Sequence, residues 1–128
     1  MADDAKSPKN KSWRPQTMMV RGGLARSQHG ETSEALFLSS GFVYDSPEQQ
    51  SARMAGDEPG YIYSRYANPT VRMFEERLAQ LEGAEDCRAT ASGMAAINTM
   101  LVAPLKPGDR VVAPRALFSS VVWILKNV

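Results

Sequence analysis

Asp86-Cys87-Arg88-Ala89-Thr90-Ala91-Ser92-Gly93-Met94-Ala95-Ala96-Ile97 is the stretch on which the fold turns. Asp86 to Ala91 predicts a short strand. Ser92 then caps a helix carrying Met94, Ile97, Leu101 and Val102, with Pro104 beyond its end. Lys106-Pro107-Gly108-Asp109 signals a turn, and Arg110-Val111-Val112-Ala113 reads as a buried strand that Pro114 breaks. Phe118 to Lys126 starts another helix. Strand, helix, strand, helix at this spacing opens a parallel α/β sheet. Two parallel strands leave two open edges, and such sheets need helices on both faces. The expected fold is therefore an incomplete α/β unit, and the chain reads as truncated.

Working backwards, Asn68 is a good N-cap and Pro69 suits the first helical position. Val71, Phe74, Leu78 and Leu81 fall on one helical face, with Arg72, Glu75, Glu76 and Gln80 opposite, and Gly83 stops the helix. Ser46-Pro47-Glu48 begins a shorter helix over Gln49 to Ala55, ended by Gly56. Asp57-Glu58-Pro59-Gly60 is a turn. Ala35-Leu36-Phe37-Leu38 and Gly41-Phe42-Val43-Tyr44 have no clean period and suit a strand or an arm lying against something. Thr17-Met18-Met19-Val20 is a short apolar patch closed by Arg21-Gly22-Gly23. Residues 1–16 are polar, contain Pro8 and Pro15, and read as a disordered tail.

The 128 residues make at most one ordinary domain, with 43% hydrophobic and 23% charged residues, as in soluble globular proteins. A net charge of +1 gives no electrostatic case for nucleic acid or an anionic membrane. No apolar run is long enough to span a bilayer, and the charged N-terminus lacks a signal-peptide core, so a cytoplasmic location is expected. Cys87 is the single cysteine, which excludes an internal disulfide. With His29 the single histidine, in a polar loop, no metal site is expected.

Two stretches carry chemistry. In Tyr61-Ile62-Tyr63-Ser64-Arg65-Tyr66-Ala67-Asn68-Pro69-Thr70, a phenol beside a guanidinium suits a planar anion such as a phosphate ester. Taken alone, the stretch reads equally well as a surface loop. In Ser92-Gly93-Met94, a strand end meets a helix start whose first amides point outward, and glycine lets a phosphate approach closely. A plain helix cap has the same appearance. Neither stretch matches the nucleotide-binding glycine patterns.

Together, Tyr63-Ser64-Arg65, Asn68-Pro69-Thr70, Ala91-Ser92-Gly93-Met94-Ala95-Ala96-Ile97 and Pro107-Gly108-Asp109 resemble the pyridoxal-phosphate enzymes of cysteine and methionine metabolism, over about residues 17 to 120. Val20 to Ser27 and Glu31 to Leu38 look most like the branch that exchanges the succinyl ester of homoserine for sulfide. The resemblance implies an aminotransferase-like (fold type I) α/β domain, with residues 17–60 an N-terminal arm and 61–128 the start of the cofactor domain. It implies pyridoxal 5'-phosphate as cofactor, a homoserine ester and sulfide as substrates, and a homo-oligomer.

By position, Gly93 and Met94 would offer backbone amides to the cofactor phosphate, and Tyr63 and Arg65 would reach the phosphate of a neighbouring subunit. Phe118 falls where most of the family stacks a tyrosine on the pyridine ring; phenylalanine keeps the stacking but has no hydroxyl. Ser120 falls near a position that faces the phosphate. Ser119 replaces an expected glycine, and the match weakens from there. Among Lys6, Lys9, Lys11, Lys106 and Lys126, none stands in the family's Ser-x-Thr-Lys setting, so no catalytic residue is assigned. The cystathionine γ-synthase and methionine γ-lyase branches stay open as alternatives, as does a non-catalytic binding remnant.

Overall fold

Helix boundaries in this chain follow local capping chemistry. The computed structural model describes residues 13–127. It contains helices α1 (Pro15–Arg21), α2 (Pro47–Ala55), α3 (Pro69–Glu82), α4 (Gly93–Val102) and α5 (Ser119–Asn127). Ser46 accepts the Gln49 amide at the start of α2, Asn68 accepts the Thr70 amide at the start of α3, and Ser92 accepts the Ala95 amide at the start of α4. Each side chain satisfies a first-turn donor that the helix itself leaves open. Gly83 ends α3 at a φ of 67°, a left-handed geometry that spares glycine the Cβ clash. These ends agree with the sequence reading. The start of α1 does not: Pro15 and Gln16, read with the tail, open that helix, while residues 1–12 lie outside the described residues.

The chain divides into two units, Met1–Arg88 and Ala89–Val128. In the first, α1 packs on α3. Leu24, Met73 and Ala79 are buried there, and Gly22 and Gly23 run against the helix. Arg77 donates from Nε to the Gly22 carbonyl at 2.7 Å and pairs with Glu34. The hydrogen bond that Arg77 Nη2 donates to the Glu34 carboxylate, with the guanidinium charge, holds that carboxyl below the usual carboxylate range. Farther along, the Phe37 amide donates to the Thr70 hydroxyl and the Phe37 carbonyl accepts from Asn68, both at 2.9 Å. The segment 35–38 is thus an arm laid over the start of α3. Leu36 and Leu38 point outward, 70% and 95% exposed.

Arg72 ties α3 to the segment after it. It reaches Asp86 at 2.8 Å and Glu76 at 3.1 Å, and Arg88 meets Asp86 at 2.9 Å. The hydrogen bond from Arg72 is the main cause lowering the Asp86 pKa. Exposed pairs of this kind each contribute at most about 1 kcal/mol, so their effect is chiefly to fix the path of residues 84–88.

In the second unit α4 packs on α5. The turn predicted at 106–109 is present: the Asp109 amide donates to the Lys106 carbonyl, and the Lys106 amide donates to the Asp109 carboxylate.

One sequence expectation needs correction: the strands read at Asp86–Ala91 and Arg110–Ala113 form no ladder, and the described residues contain one isolated antiparallel bridge, Gly41 to Tyr63. Strand hydrogen bonds are made to neighbours, so a segment of strand composition stays merely extended until a neighbouring strand lies beside it. The apolar stripe of α3 is only partly covered, with Leu78 and Leu81 half-buried. Val71 and Phe74 are 44% and 56% exposed, whereas Met73 and Glu75 are buried. The backbone at Gly23 fits closely against the Met73–Arg77 side, where a larger side chain would hold it apart.

The loop before the arm is set by one carboxylate. Glu31 accepts from the Ser27 amide and the Ser27 hydroxyl, each at 2.7 Å. The Ser27 amide bond is the largest cause, and the hydroxyl bond the next, that lowers its pKa from the ordinary 4.5 to about 2. A folded-state pKa below the unfolded one stabilises the loop above about 4.5, and that stabilisation is lost as pH falls toward about 2. The Ser27 amide proton should therefore shift in an NMR titration with a midpoint near 2; a midpoint near 4.5 would show that the loop does not hold the carboxylate.

Candidate functional site

The residues singled out from sequence lie in two places, one in each unit. In the first unit, the chain turns sharply after Tyr63, with the Tyr66 and Ala67 amides both donating to the Tyr63 carbonyl at 2.9 and 3.2 Å. This turn folds the Tyr63 and Tyr66 rings toward each other, centroids 6.4 Å apart and edge to face. The Arg65 guanidinium lies against both, with Cζ 5.4 Å from the Tyr63 centroid and 4.9 Å from that of Tyr66. Cation–π contact of this kind contributes about 0.5–1 kcal/mol at an exposed site, enough to bias the side chain's position.

Arg53, Arg72, Arg77 and Arg88 are all paired with carboxylates. Among the described residues no carboxylate lies in ion-pair range of Arg65. Its fork of donors is therefore open to an external anion. Tyr63 and Arg65, singled out from sequence, are brought together. Tyr66 was not singled out there, because its contact with Arg65 is made only by the turn.

In the second unit, Ser92 uses its hydroxyl on the Ala95 amide at 3.1 Å and its carbonyl on the Ala96 amide at 3.0 Å. The amides of Gly93 and Met94 have no acceptor among the described residues. Nothing lies within 4 Å of the place a Gly93 Cβ would occupy, so the approach to these amides is open. The helix dipole adds roughly 0.3–1 kcal/mol for an anion placed there. Phe118 stands just before α5 with its carbonyl accepting from Val121 and Val122, and its side chain is 67% exposed. Ser120 lies in the first turn of α5 and is half-buried.

Each unit by itself carries groups that suit an anion: in the first an unpaired guanidinium with phenols beside it, in the second two open amides at a helix start. Residues 16–128 match the family described as Cys/Met metabolism PLP-dependent enzyme. The chain belongs to that family. Pyridoxal 5'-phosphate is the family's cofactor.

The O-succinylhomoserine sulfhydrylase of Mycobacterium tuberculosis is 55% identical over 112 residues, covering 88% of this chain and 28% of that protein. An L-methionine gamma-lyase of Porphyromonas gingivalis is 38% identical over 102 residues, covering 80% of this chain and 26% of the lyase. The chain thus spans little more than a quarter of the length of these family members. Among solved structures, the fold resembles an assigned O-acetylhomoserine (thiol)-lyase from Campylobacter jejuni, with a TM-score of 0.63 and 30% identity. That match covers 66% of this chain and 20% of the other, which holds N'-pyridoxyl-lysine-5'-monophosphate at its position 205. The neighbouring fold is that of the fold type I pyridoxal-phosphate enzymes. Among the described residues no helix is long and apolar enough to cross a membrane.

Proposed function

We propose that the protein is a pyridoxal-phosphate-dependent O-succinylhomoserine sulfhydrylase. The γ-carbon of the homoserine ester loses succinate as its C–O bond breaks, and forms a C–S bond with sulfide to give homocysteine. The observation that carries this reading is the identity to the succinyl-ester sulfhydrylase, 55% against 38% for the methionine lyase over similar spans. Phe118 supports the same branch by resemblance, since phenylalanine in place of the tyrosine that most of the family carries is a feature of the succinyl-ester sulfhydrylases.

Pyridoxal phosphate, when bound, supplies an electron sink for the substrate's α-carbon. The chain's own residues bind and orient it. Gly93 and Met94 offer amides to the phosphate, Ser120 offers a hydroxyl, and Phe118 offers its ring face. Tyr63 and Arg65 serve the phosphate in a neighbouring subunit, which makes the working protein a homo-oligomer. Residues 17–60 act as the arm, and 61–128 open the cofactor domain with the parallel sheet the sequence suggests. The protein works in the cytoplasm on small molecules.

A second reading, methionine γ-lyase, is favoured by the 38% identity to that enzyme. Product analysis of the native protein separates the branches. Homocysteine and succinate formed from O-succinylhomoserine and sulfide are the expected products. Cystathionine formed preferentially when cysteine replaces sulfide, or methanethiol released from methionine, would overturn the assignment.

A further inference from the structure

Arg65 is held by little besides two tyrosine rings, so something must fix the backbone that carries it. Ser64 stands between Tyr63 and Arg65 and is bound on three sides. Its amide donates to the Ser40 carbonyl at 2.9 Å, and its hydroxyl donates to the Ser39 carbonyl. The same hydroxyl accepts from Asn68 Nδ2 at 2.9 Å.

Asn68, 7% exposed, has no freedom left to give. Its Oδ1 caps α3 through the Thr70 amide, and its Nδ2 also donates to the Phe37 carbonyl. The hydroxyl of Ser64 is thus locked to the arm on one side and to a rigid helix start on the other. The Phe42 amide, donating to the Ile62 carbonyl at 3.3 Å, extends the same stitching before the turn.

We propose that Ser64, clamped by Ser39 and Asn68, is a positioning residue that presents Tyr63 and Arg65 to the phosphate of a bound cofactor. This rests on the reading of Tyr63 and Arg65 as phosphate ligands. A hydroxyl at this point sets the direction of both neighbours, because consecutive residues share the peptide planes that it anchors. Alanine removes the lock, whereas threonine keeps the hydroxyl.

The test uses the native holoenzyme and measures the dissociation constant for pyridoxal phosphate, together with the unfolding midpoint of the cofactor-free protein. Ser64→Ala is expected to raise the dissociation constant by about tenfold, the loss of one well-placed hydrogen-bonded group, with the midpoint little changed. Ser64→Thr should restore binding to within about twofold of the parent. On an Arg65→Ala background, Ser64→Ala should add less than about twofold, because a residue acting through Arg65 has nothing left to position.

A full, additive effect of Ser64→Ala on that background would overturn the proposal. So would unchanged binding in Ser64→Ala while Arg65→Ala alone binds weakly; the phosphate role of Arg65 would then stand without Ser64. Unchanged binding in Arg65→Ala would remove both ideas together. Should Ser64→Ala fail to fold, Asn68→Asp keeps the helix cap and deletes the Nδ2 donor, and the same non-additivity with Arg65→Ala decides the matter.

Discussion

Arg65→Ala is expected to weaken retention of pyridoxal phosphate by the native holoenzyme by about 10- to 100-fold, the range for a lost charged hydrogen bond of about 1.5–3 kcal/mol. The guanidinium is unpaired among the described residues and is held over Tyr63 and Tyr66, so its removal deletes a donor set without breaking an ion pair of the fold. The unfolding midpoint of the cofactor-free protein should therefore move little. Arg65→Lys keeps the charge and loses the fork, and should fall between the parent and the alanine variant. Because the site is exposed, the difference should shrink as salt rises. Absorbance of the cofactor released into dialysate gives the answer directly. Equal retention in parent and alanine variant would refute the phosphate role.

Gly23→Ala should release the segment that joins α1 to the arm. Gly23 has a φ of +68°, and a Cβ there would lie 2.6 Å from the Met73 carbonyl oxygen and 2.7 Å from the Arg77 nitrogen. Both are backbone atoms of α3, which cannot swing aside as a flexible side chain would. The left-handed geometry alone costs roughly 1–2 kcal/mol with a Cβ. Overpacking against backbone adds about 1–3 kcal/mol. A total of about 2–5 kcal/mol raises the detached population roughly 30- to 5000-fold, provided opening and closing outpace cleavage.

Tryptic cleavage after Arg21 and Arg26 in the native protein reads that population. Gly30→Ala serves as the comparison, since its φ is +64° but nothing lies within 4 Å of the added Cβ. Its cleavage should rise by about tenfold, the conformational part alone. Equal effects at the two glycines would mean that close packing on α3 does not hold the arm.

How much of this was legible beforehand depended on the range of the interaction involved. Ser46 with Pro47, Asn68 with Pro69, and Ser92 each announce a helix start, because a capping side chain bonds an amide two or three residues away. The end of α3 at Gly83 was legible for the same reason, as was the turn at Lys106–Asp109. Tyr63 and Arg65, the pair proposed to meet a phosphate, could be picked out because a guanidinium and a phenol two residues apart have recognisable joint chemistry. Tyr66 could not, since its part lies in a ring contact that only the turn creates.

The shared face of Val71, Phe74, Leu78 and Leu81 was legible, but whether that face packs was not, for a non-local reason. Which side of α3 is covered was decided in part by Gly23, some 50 residues earlier, whose missing side chain lets the backbone close on Met73 and Arg77. The strand readings failed for a non-local reason too, since Arg110–Ala113 has strand composition but makes no ladder without a neighbour alongside. By itself the sequence determined the starts of α2, α3 and α4, the turn, the family resemblance and the residue types able to meet a phosphate, all matters of adjacent residues and local bonds. Only the tertiary structure decided which face of α3 is buried, how the arm is latched through Asn68 and Thr70, and that Ser64 stands locked beneath Arg65. Those outcomes rest on contacts between segments distant in the chain, and no local pattern encodes such contacts.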